Sequence, residues 1–254
     1  MVTSLRGSLT LLLVKNLKAH YSGDRMEDYV ILVDKEDNPI GKEEKVKCHL
    51  PNGKLHRAFT ALIFNDEGNL LLTKRSESKM LWPNVWDGTF ASHPRVDEKY
   101  YLAAGERRMP EELGIGLDLH YRNRFEYHVP YKDVGSENEI CGTLIGTMER
   151  RITSEHDNLN DFKPPVNKDE ISEIKWISPD ELKNELEQNA DAYCPWMVIA
   201  LLLLDSKADM RASSHSLTRF NSLITKWTSD DLKPVYENAI KHYIPDNNWR
   251  LVPW

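Results

Sequence analysis

The fold of this chain is decided by one stretch, Ala103-Ala104-Gly105-Glu106-Arg107-Arg108-Met109-Pro110-Glu111-Glu112-Leu113-Gly114-Ile115. It predicts a helix over Leu102–Leu113 that ends at Gly114, because glycine readily adopts the left-handed conformation that follows helix C-termini. A loop containing His93-Pro94 precedes the helix. The pattern Arg-Arg-x-x-Glu-Glu-Leu-Gly-Ile therefore places paired basic and paired acidic side chains on one helix that follows this loop.

Predicted strands lie on both sides of this helix in the sequence. Apolar runs predict strands at 30–33, 58–64, 69–73, 124–129, 140–148 and 171–177. Asn65-Asp66-Glu67-Gly68 is typical of a hairpin turn, and Ser178-Pro179-Asp180-Glu181 is a capping box with Pro at the first helical position. Helices are predicted around 179–188, 196–205, 215–227 and 230–243. With strands first and helices gathered toward the C-terminus, the fold class is predicted to be α+β.

Three parts are predicted along the 254 residues. Residues 1–28 are a lead-in without a strong period, 29–204 form the main domain, and 205–254 form a C-terminal helical extension. One domain with extensions suits this length better than two equal domains. The extension is expected to pack on the domain, to cover the active site or to form a dimer interface.

Composition narrows the class of partner. A net charge of −7 provides no basic surface for nucleic acid, and the longest apolar run, 196–204, is shorter than the roughly 18 residues that a membrane span needs. Three cysteines without a framework spacing indicate a reducing compartment, so a cytoplasmic location is expected. The predicted partner is a small molecule, and the chain is expected to be a monomer or a homodimer.

Three histidines and two glutamates suggest a metal centre: His49, His56, His93, Glu137 and Glu139. Such a mixed nitrogen and oxygen shell suits a borderline divalent ion such as Zn²⁺ or Mn²⁺. The Pro-Asn-Gly turn between His49 and His56 can bring them to one point, and the two glutamates, two apart on a predicted strand, share one face. Each residue alone has a simpler interpretation, as a packed imidazole or a solvated carboxylate.

Taken in order, these motifs resemble type-I isopentenyl diphosphate isomerase, and the 103–115 stretch is close to the strand–loop–helix box of the Nudix superfamily to which that family belongs. The matching positions are His49, His56, Arg75, Lys79, Trp82-Pro83, Trp86, Ser92-His93-Pro94, Arg107-Arg108, Glu112-Leu113-Gly114, Glu137-Asn138-Glu139 and Pro195-Trp196-Met197. The resemblance covers roughly residues 28–204. It implies a Nudix-type α/β/α sandwich with a mixed sheet and added C-terminal helices.

The resemblance also implies cofactors and binding residues. It assigns the three histidines and the Glu137/Glu139 pair to one divalent ion, which is Mn²⁺, Zn²⁺ or Mg²⁺. It assigns Glu112 to a Mg²⁺ that binds together with the substrate's diphosphate. Arg75, Lys79 and Arg108 match basic positions that face the phosphates.

Catalytic roles follow from the same resemblance. Glu139 matches the acid that protonates the alkene, and Tyr127 and Trp196 match aromatic positions over the hydrocarbon. Trp196 is expected to stabilise a carbocation through its π face. The alternative for Trp196 is simple core packing in an apolar helix.

One departure from the family concerns the second proton carrier. Where the family usually has Thr-Asn-(Ser/Thr)-x-Cys-(Gly/Ser)-His, this chain has Asp87-Gly88-Thr89-Phe90-Ala91-Ser92-His93. Ala91 replaces the cysteine, and a methyl group cannot exchange protons. Cys141 lies on the strand face of Glu139, on the acid's side, and is expected to be a packed core thiol.

The missing thiol leaves several functions open. The favoured prediction is protonation by Glu139 that begins cyclisation or rearrangement of a prenyl diphosphate, with Ala91 enlarging the pocket and Phe90 and Trp196 shielding the cation. The alternative is interconversion of the two five-carbon isoprenoid diphosphates, with water or Tyr127 as the second proton carrier. Nudix hydrolysis is weaker because Arg108 occupies the place of a hydrolase glutamate. A non-catalytic metal-binding homologue is the remaining interpretation.

Overall fold

The computed structural model describes residues 29–148, 163–206 and 214–253, so the predicted lead-in at 1–28 lies outside the described residues. The strands are β1 (Tyr29–Val33), β2 (Pro39–Glu44), β3 (His56–Asn65), β4 (Leu70–Arg75), β5 (Trp86–Asp87), β6 (Phe90–Ser92), β7 (Leu119–Tyr131), β8 (Gly135–Met148), β9 (Ile171–Ile177) and β10 (Trp249–Leu251). The helices are α1 (Lys45–His49), α2 (Tyr101–Leu113), α3 (Pro179–Gln188), α4 (Pro195–Leu202), α5 (Ser214–Trp227) and α6 (Lys233–Tyr243), with a 3₁₀ turn at Ala190–Ala192.

The sheet is mixed and centres on β3. Its main path runs β10-β7-β8-β3-β1-β2, while β4 and β6 also pair with β3, and β5 and β9 pair with β4. The β3–β8 pair is parallel, whereas β7–β8, β3–β6 and β4–β9 are antiparallel. All ten residues of β3 are buried, as expected for a strand with both faces covered.

Two cores, one on each face of the sheet, make the chain an α/β/α sandwich. On one face, α2 contributes Ala104, Met109 and Leu113 to a cluster with Phe59 and Ile63 of β3. On the other face, helices α3 to α6 cover a larger cluster that includes alternate residues of β3, β7 and β8. The predicted Nudix-type sandwich with a mixed sheet and added C-terminal helices is confirmed.

Local sequence signals explain several boundaries. The helix α2 ends at Gly114, which has φ 66°, and a Cβ there would lie 2.8 Å from Pro165 Cγ. At the start of α3, Ser178 and Glu181 form the predicted capping box. The turn after Asn65 joins β3 to β4 as an antiparallel hairpin, so the predicted hairpin is also confirmed.

The C-terminal extension packs on the main domain. Trp227 of α5 is fully buried, lies 5.7 Å from the Phe64 ring centroid and donates to Gly68 O at 2.8 Å. The last strand, β10, pairs with β7 opposite Tyr127, and Arg124 donates to Pro253 O at 2.6 Å. None of residues 220–253 lines the cavity of about 420 Å³ that holds most of the predicted site residues, which favours packing over a covering role.

Within the described ranges, no helix has both the length and the apolar composition for a membrane span.

Candidate active site

A cavity of about 420 Å³ lies over the sheet face that α4 covers. Its lining includes residues from α1, β3, β4, β6, α2, β7, β8 and α4. The predicted site residues among them are His49, His93, Glu137, Glu139, Tyr127, Trp196, Arg75, Lys79, Arg108 and Ala91. Ten predicted site residues from distant parts of the sequence therefore meet at one cavity, whereas His56, Phe90 and Glu112 do not line it.

The three histidines converge beside Glu139. His56 begins β3 and is the direct register partner of Glu139 on β8, while His49 ends α1 and His93 follows β6. The ring centroids of the three histidines are 4.7, 5.0 and 5.3 Å apart. One ligand atom from each histidine and one Glu139 oxygen all lie within 4.8 Å of one another. The predicted ligands thus form a compact cluster.

Hydrogen bonds orient the histidines for metal binding. Nδ1 of His49 lies 2.6 Å from Lys45 O, and Nδ1 of His56 lies 2.7 Å from Lys54 O. Because a carbonyl oxygen only accepts, Nδ1 carries the proton and Nε2 keeps its lone pair for a metal. The buried Glu137 Oε2 has no well-aligned hydrogen-bond partner within the described structure, and the buried His56 Nε2 lies 3.3 Å from Glu139 Oε1 without good alignment. These side chains fit a divalent cation.

Glu137 lies at the edge of the cluster. Its Oε2 is 3.1 Å from His49 Nε2, although it is outside the group whose ligand atoms all lie within 4.8 Å. Glu112 is farther removed, because its Oε1 accepts from Arg108 at 3.0 and 2.6 Å and it does not line the cavity. The Mg²⁺ role of Glu112 stays a prediction.

The charges of the cluster also suit a cation. Burial, with Lys45, His56 and His49 nearby, holds the pKa of His93 well below its usual value. Burial opposes charge on His56 as well, but hydrogen bonds to Cys48 and Glu139 raise its pKa to about 9. A divalent ion would supply the positive charge that the buried carboxylates otherwise obtain from imidazole protons.

Removal of one ligand tests this centre. We expect purified protein to carry about one tightly held divalent ion and His93→Ala to lose it, because a four-ligand shell would drop to three. Elemental analysis measures the metal, and circular dichroism checks the fold. His242→Ala is the matched control, since that exposed ring pairs with Asp191 on the surface and is not part of the histidine cluster. Equal metal content in the two variants would contradict the assignment.

Glu139 also contacts the aromatic side of the cavity. The Tyr127 hydroxyl donates to Glu139 Oε2 at 2.6 Å, and burial beside Glu139 raises the Tyr127 pKa well above its usual value. Burial acts to raise the Glu139 pKa too, but hydrogen bonds from His56 and Tyr127 outweigh it and lower that pKa. Tyr127 therefore keeps its proton and lies on the acid's side of the cavity.

Trp196 is held in the cavity wall by a buried carboxylate. Its indole Nε1 donates to Asp87 Oδ1 at 2.8 Å, and its ring lies 5.4 Å from Trp82 and 6.3 Å from Tyr127. The guanidinium carbon of Arg75 lies 5.2 Å from the Trp196 centroid. Arg75 also donates to Trp82 O, Leu81 O and Asp87 Oδ2, so much of its donor capacity is already used.

Cationic side chains gather in another part of the cavity lining. Lys79 and Arg108 both pair with Glu170, the Arg108 pair at 3.3 Å. Burial acts to raise the pKa of Glu170, but Lys79 and Arg108 hold it at about 2. Lys45 lines the same cavity, and burial lowers its pKa, as do Lys79 and Arg108. A site with this many cations suits a polyanionic ligand.

The structure corrects the predicted role of Phe90. Its ring is buried with Phe59, 5.9 Å away, in the core on the α2 side of the sheet, and it does not line the cavity. The reason is strand alternation, because β6 turns Phe90 to one face and Ala91 to the other. Phe90 is therefore too distant to shield a cation in the cavity.

Three residues of the site were missed from the sequence. Lys45 lies one helical turn before His49, a spacing that places the two side chains on one helix face. Glu170 precedes β9 directly. Asp87 differs from the family pattern, but no sequence signal indicated its contact with Trp196, 109 residues away.

Comparison with known proteins agrees with this geometry. A Nudix domain matches residues 54–197. The isopentenyl-diphosphate Delta-isomerase of Haloarcula marismortui is 36% identical over 177 residues, which cover 68% of this chain and 88% of the relative. Isopentenyl-diphosphate Delta-isomerase 1 of Photorhabdus laumondii is 34% identical over 169 residues, covering 66% and 89%.

A solved structure supports the fold alone. The crystal structure of DR0079 from Deinococcus radiodurans aligns with a TM-score of 0.53 at 20% identity, over 68% of this chain and 96% of that protein. With relatives above 30% identity aligned over most of their own length, the chain belongs to the isopentenyl-diphosphate Delta-isomerase family, an enzyme family of the Nudix superfamily.

Proposed function

We propose that this enzyme interconverts isopentenyl and dimethylallyl diphosphate, with Glu139 as the acid that protonates the alkene. The observation that carries the proposal is the position of the Glu139 carboxyl, which borders the cavity between the histidine cluster and Tyr127. Trp196 and a set of cations line the same cavity. An acid, an aromatic wall and a phosphate-binding region are the groups that this reaction needs.

The reaction divides into steps that these residues can serve. Lys45, Lys79 and Arg108 bind the diphosphate. His56 and Tyr127 hold the Glu139 pKa low, so this carboxylate first takes up a proton from solvent water. Its carboxyl then gives that proton to the terminal alkene carbon, which leaves a tertiary cation, and the Trp196 ring stabilises that cation. Loss of a proton from the neighbouring methylene completes the shift of the double bond. When bound, the divalent ion at the histidine cluster neutralises carboxylate charge and fixes the orientation of Glu139.

Ala91 leaves the second proton transfer without the family's thiol. Tyr127 is a poor substitute because its hydroxyl bonds to Glu139 on the acid's side. Thr89 is already engaged, since its hydroxyl donates to Leu71 O and accepts from Ile63 N. Burial raises the pKa of the Cys141 thiol well above its usual value, and Cys141 shares the strand face of Glu139.

A water is the remaining substitute for the thiol, and the residues around Ala91 bear on where it can bind. Thr60 is the register partner of Ala91, is fully buried, and its hydroxyl has no hydrogen-bond partner within the described structure. Thr143, its partner on β8, also has a fully buried hydroxyl without a partner there. Two such hydroxyls can hold one ordered water, but neither residue lines the cavity, so that water would not contact the substrate. The second proton is therefore left to a water in the cavity beside Ala91.

The relatives favour isomerisation over the cyclisation or rearrangement that Ala91 first suggested. These relatives are named Delta-isomerases. Phe90 lies outside the cavity, so one of the two aromatic groups expected to shield a longer-lived cation does not reach it. Nudix hydrolysis has less support because Arg108 pairs with both Glu111 and Glu112 of α2, which engages the helix carboxylates that this reaction needs.

Product analysis tests the proposal. Purified protein with Mg²⁺ is incubated with five-, ten-, fifteen- and twenty-carbon prenyl diphosphates, and the products are identified by mass spectrometry and NMR. We expect dimethylallyl diphosphate from isopentenyl diphosphate, with deuterium incorporation in D₂O. Cyclic products, released phosphate or no turnover with every substrate would contradict isomerisation.

Restoring the thiol tests the role of Ala91. We expect Ala91→Cys to raise five-carbon isomerisation about tenfold or more, because a positioned general base typically contributes at least that factor. Initial rates by NMR measure the effect. Ala91→Val is the matched control, since it adds similar bulk without an exchangeable proton. Equal rates for the two variants would show that position 91 does not carry the second proton.

A further inference from the structure

We propose that Asp87 is a positioning residue that fixes Trp196 and strengthens the binding of a cation to its ring. This inference deepens the proposed function and rests on it, because it concerns the carbocation of that reaction. Asp87 does not line the cavity, so it acts through Trp196 and does not touch the substrate.

The contacts of Asp87 are short and buried. Only 2% of Asp87 is exposed. Its Oδ1 accepts from Trp196 Nε1 at 2.8 Å and from Gly88 N at 2.7 Å, and its Oδ2 accepts from Arg75 Nη1 at 3.2 Å. Both oxygens are therefore engaged, and one of them holds the indole N–H directly.

The backbone brings the two side chains together. Asp87 ends the short strand β5, and Trp86 before it forms a parallel bridge with Tyr193. Cys194 N donates to Trp86 O at 2.8 Å. Since α4 begins at Pro195, this main-chain link places Trp196 in the first helical turn beside Asp87. The hydrogen bond is thus supported by fixed backbone on both sides.

A carboxylate changes the electrostatics of the ring that it holds. A negative acceptor on the indole N–H increases electron density on the ring face, and it is this face that attracts cations. Asp87 also offsets the positive charge of Arg75, whose guanidinium carbon lies 5.2 Å from the same ring. Without that carboxylate, Arg75 would oppose a second cation over Trp196.

Asp87 is one of this chain's departures from the family pattern, which usually has threonine at this place. The chain combines it with Ala91, which removes the thiol that takes the second proton. If a water is a weaker base than a thiolate, the cation persists for longer before deprotonation. A better-stabilised cation suits this situation, so the two departures are physically consistent with each other.

A binding measurement tests the proposal without turnover. Two probes are compared by calorimetry: 2-(dimethylamino)ethyl diphosphate, which is cationic where the carbocation forms, and the neutral isostere 3-methylbutyl diphosphate. Asp87→Asn keeps an acceptor oxygen but loses the charge. We expect it to weaken the binding affinity for the cationic probe about tenfold. The affinity for the neutral probe should change less than about threefold, because its diphosphate contacts remain.

A double-mutant cycle assigns the effect to Trp196. In Trp196→Phe the N–H donor is absent, so adding Asp87→Asn should weaken binding of the cationic probe clearly less than in the wild-type background, because only its offset of the Arg75 charge then remains. Equal weakening of both probes, or a full effect in the Trp196→Phe background, would overturn the proposal and leave Asp87 a structural residue only. Asp87→Thr replaces Asp87→Asn if the latter does not fold.

These outcomes are separate from the test of isomerisation. A protein that discriminates between the probes through Asp87 but forms no dimethylallyl diphosphate would overturn the proposed function alone. A protein that isomerises normally while Asp87→Asn leaves the preference for the cationic probe unchanged would overturn the Asp87 inference alone.

Discussion

Replacing Glu139 by glutamine is expected to lower turnover by about 10³-fold or more. Glutamine keeps the shape of the side chain and an oxygen that can accept from Tyr127, but it has no proton that it can transfer. General acid catalysis typically contributes about 10²–10⁴-fold, and here every later step depends on the first protonation. Substrate affinity should change little, because the substitution leaves Lys45, Lys79 and Arg108, the proposed diphosphate-binding residues, unchanged.

Steady-state kinetics of Glu139→Gln measure kcat and KM separately, and elemental analysis of the same preparation shows whether the metal is retained. The second measurement matters because Glu139 also belongs to the histidine cluster. Glu173→Gln on β9 makes the same chemical change at an exposed carboxylate that pairs with Lys74, and it should behave as wild type. A Glu139→Gln protein with near-normal turnover would remove Glu139 from the mechanism.

Most of the central fold could be predicted from the sequence. The strands β3, β4 and β8 contain apolar runs, β9 has apolar residues at intervals, and α2 and α3 carry their own end signals at Gly114 and Ser178. These features are local, so one sequence is enough to show them. The predicted boundaries of β7 were too narrow, because the polar residues at both ends of Leu119–Tyr131 break its apolar pattern.

The elements that were missed carry no strong sequence signal of their own. The strand β2 is largely exposed, and β10 has only three residues that exist as a strand through pairing with β7. The short strands β5 and β6 are likewise defined by β4 and β3. Because their residues have no period of their own, only tertiary structure makes them strands.

The residues of the site also differ in whether a local sequence signal identifies them. The histidine and glutamate positions could be predicted because their residue types and order are distinctive and resemble a known family. The face of the sheet to which Phe90 points could not be predicted, since a three-residue strand is too short to show an alternation of apolar and polar residues. The contact between Asp87 and Trp196 joins two residues that the sequence separates widely, and nothing local in either segment indicates the other.

Trp227→Ala is expected to lower the free energy of unfolding by about 3–5 kcal/mol, the usual cost of truncating a large buried aromatic side chain. Trp227 is fully buried against Phe64, so the variant leaves a cavity between the extension and β3. It also leaves Gly68 O without the indole donor that lies 2.8 Å away. Urea unfolding followed by circular dichroism measures the loss.

Trp227→Phe is the matched control, because it retains a ring in the core while losing the N–H, and it should lower the free energy of unfolding clearly less. Since none of residues 220–253 lines the cavity, both variants should bind the diphosphate probes normally under conditions where they are folded. A Trp227→Ala protein as stable as wild type would mean that α5 unfolds separately from the sheet, and that residues 214–253 are not part of the cooperative core.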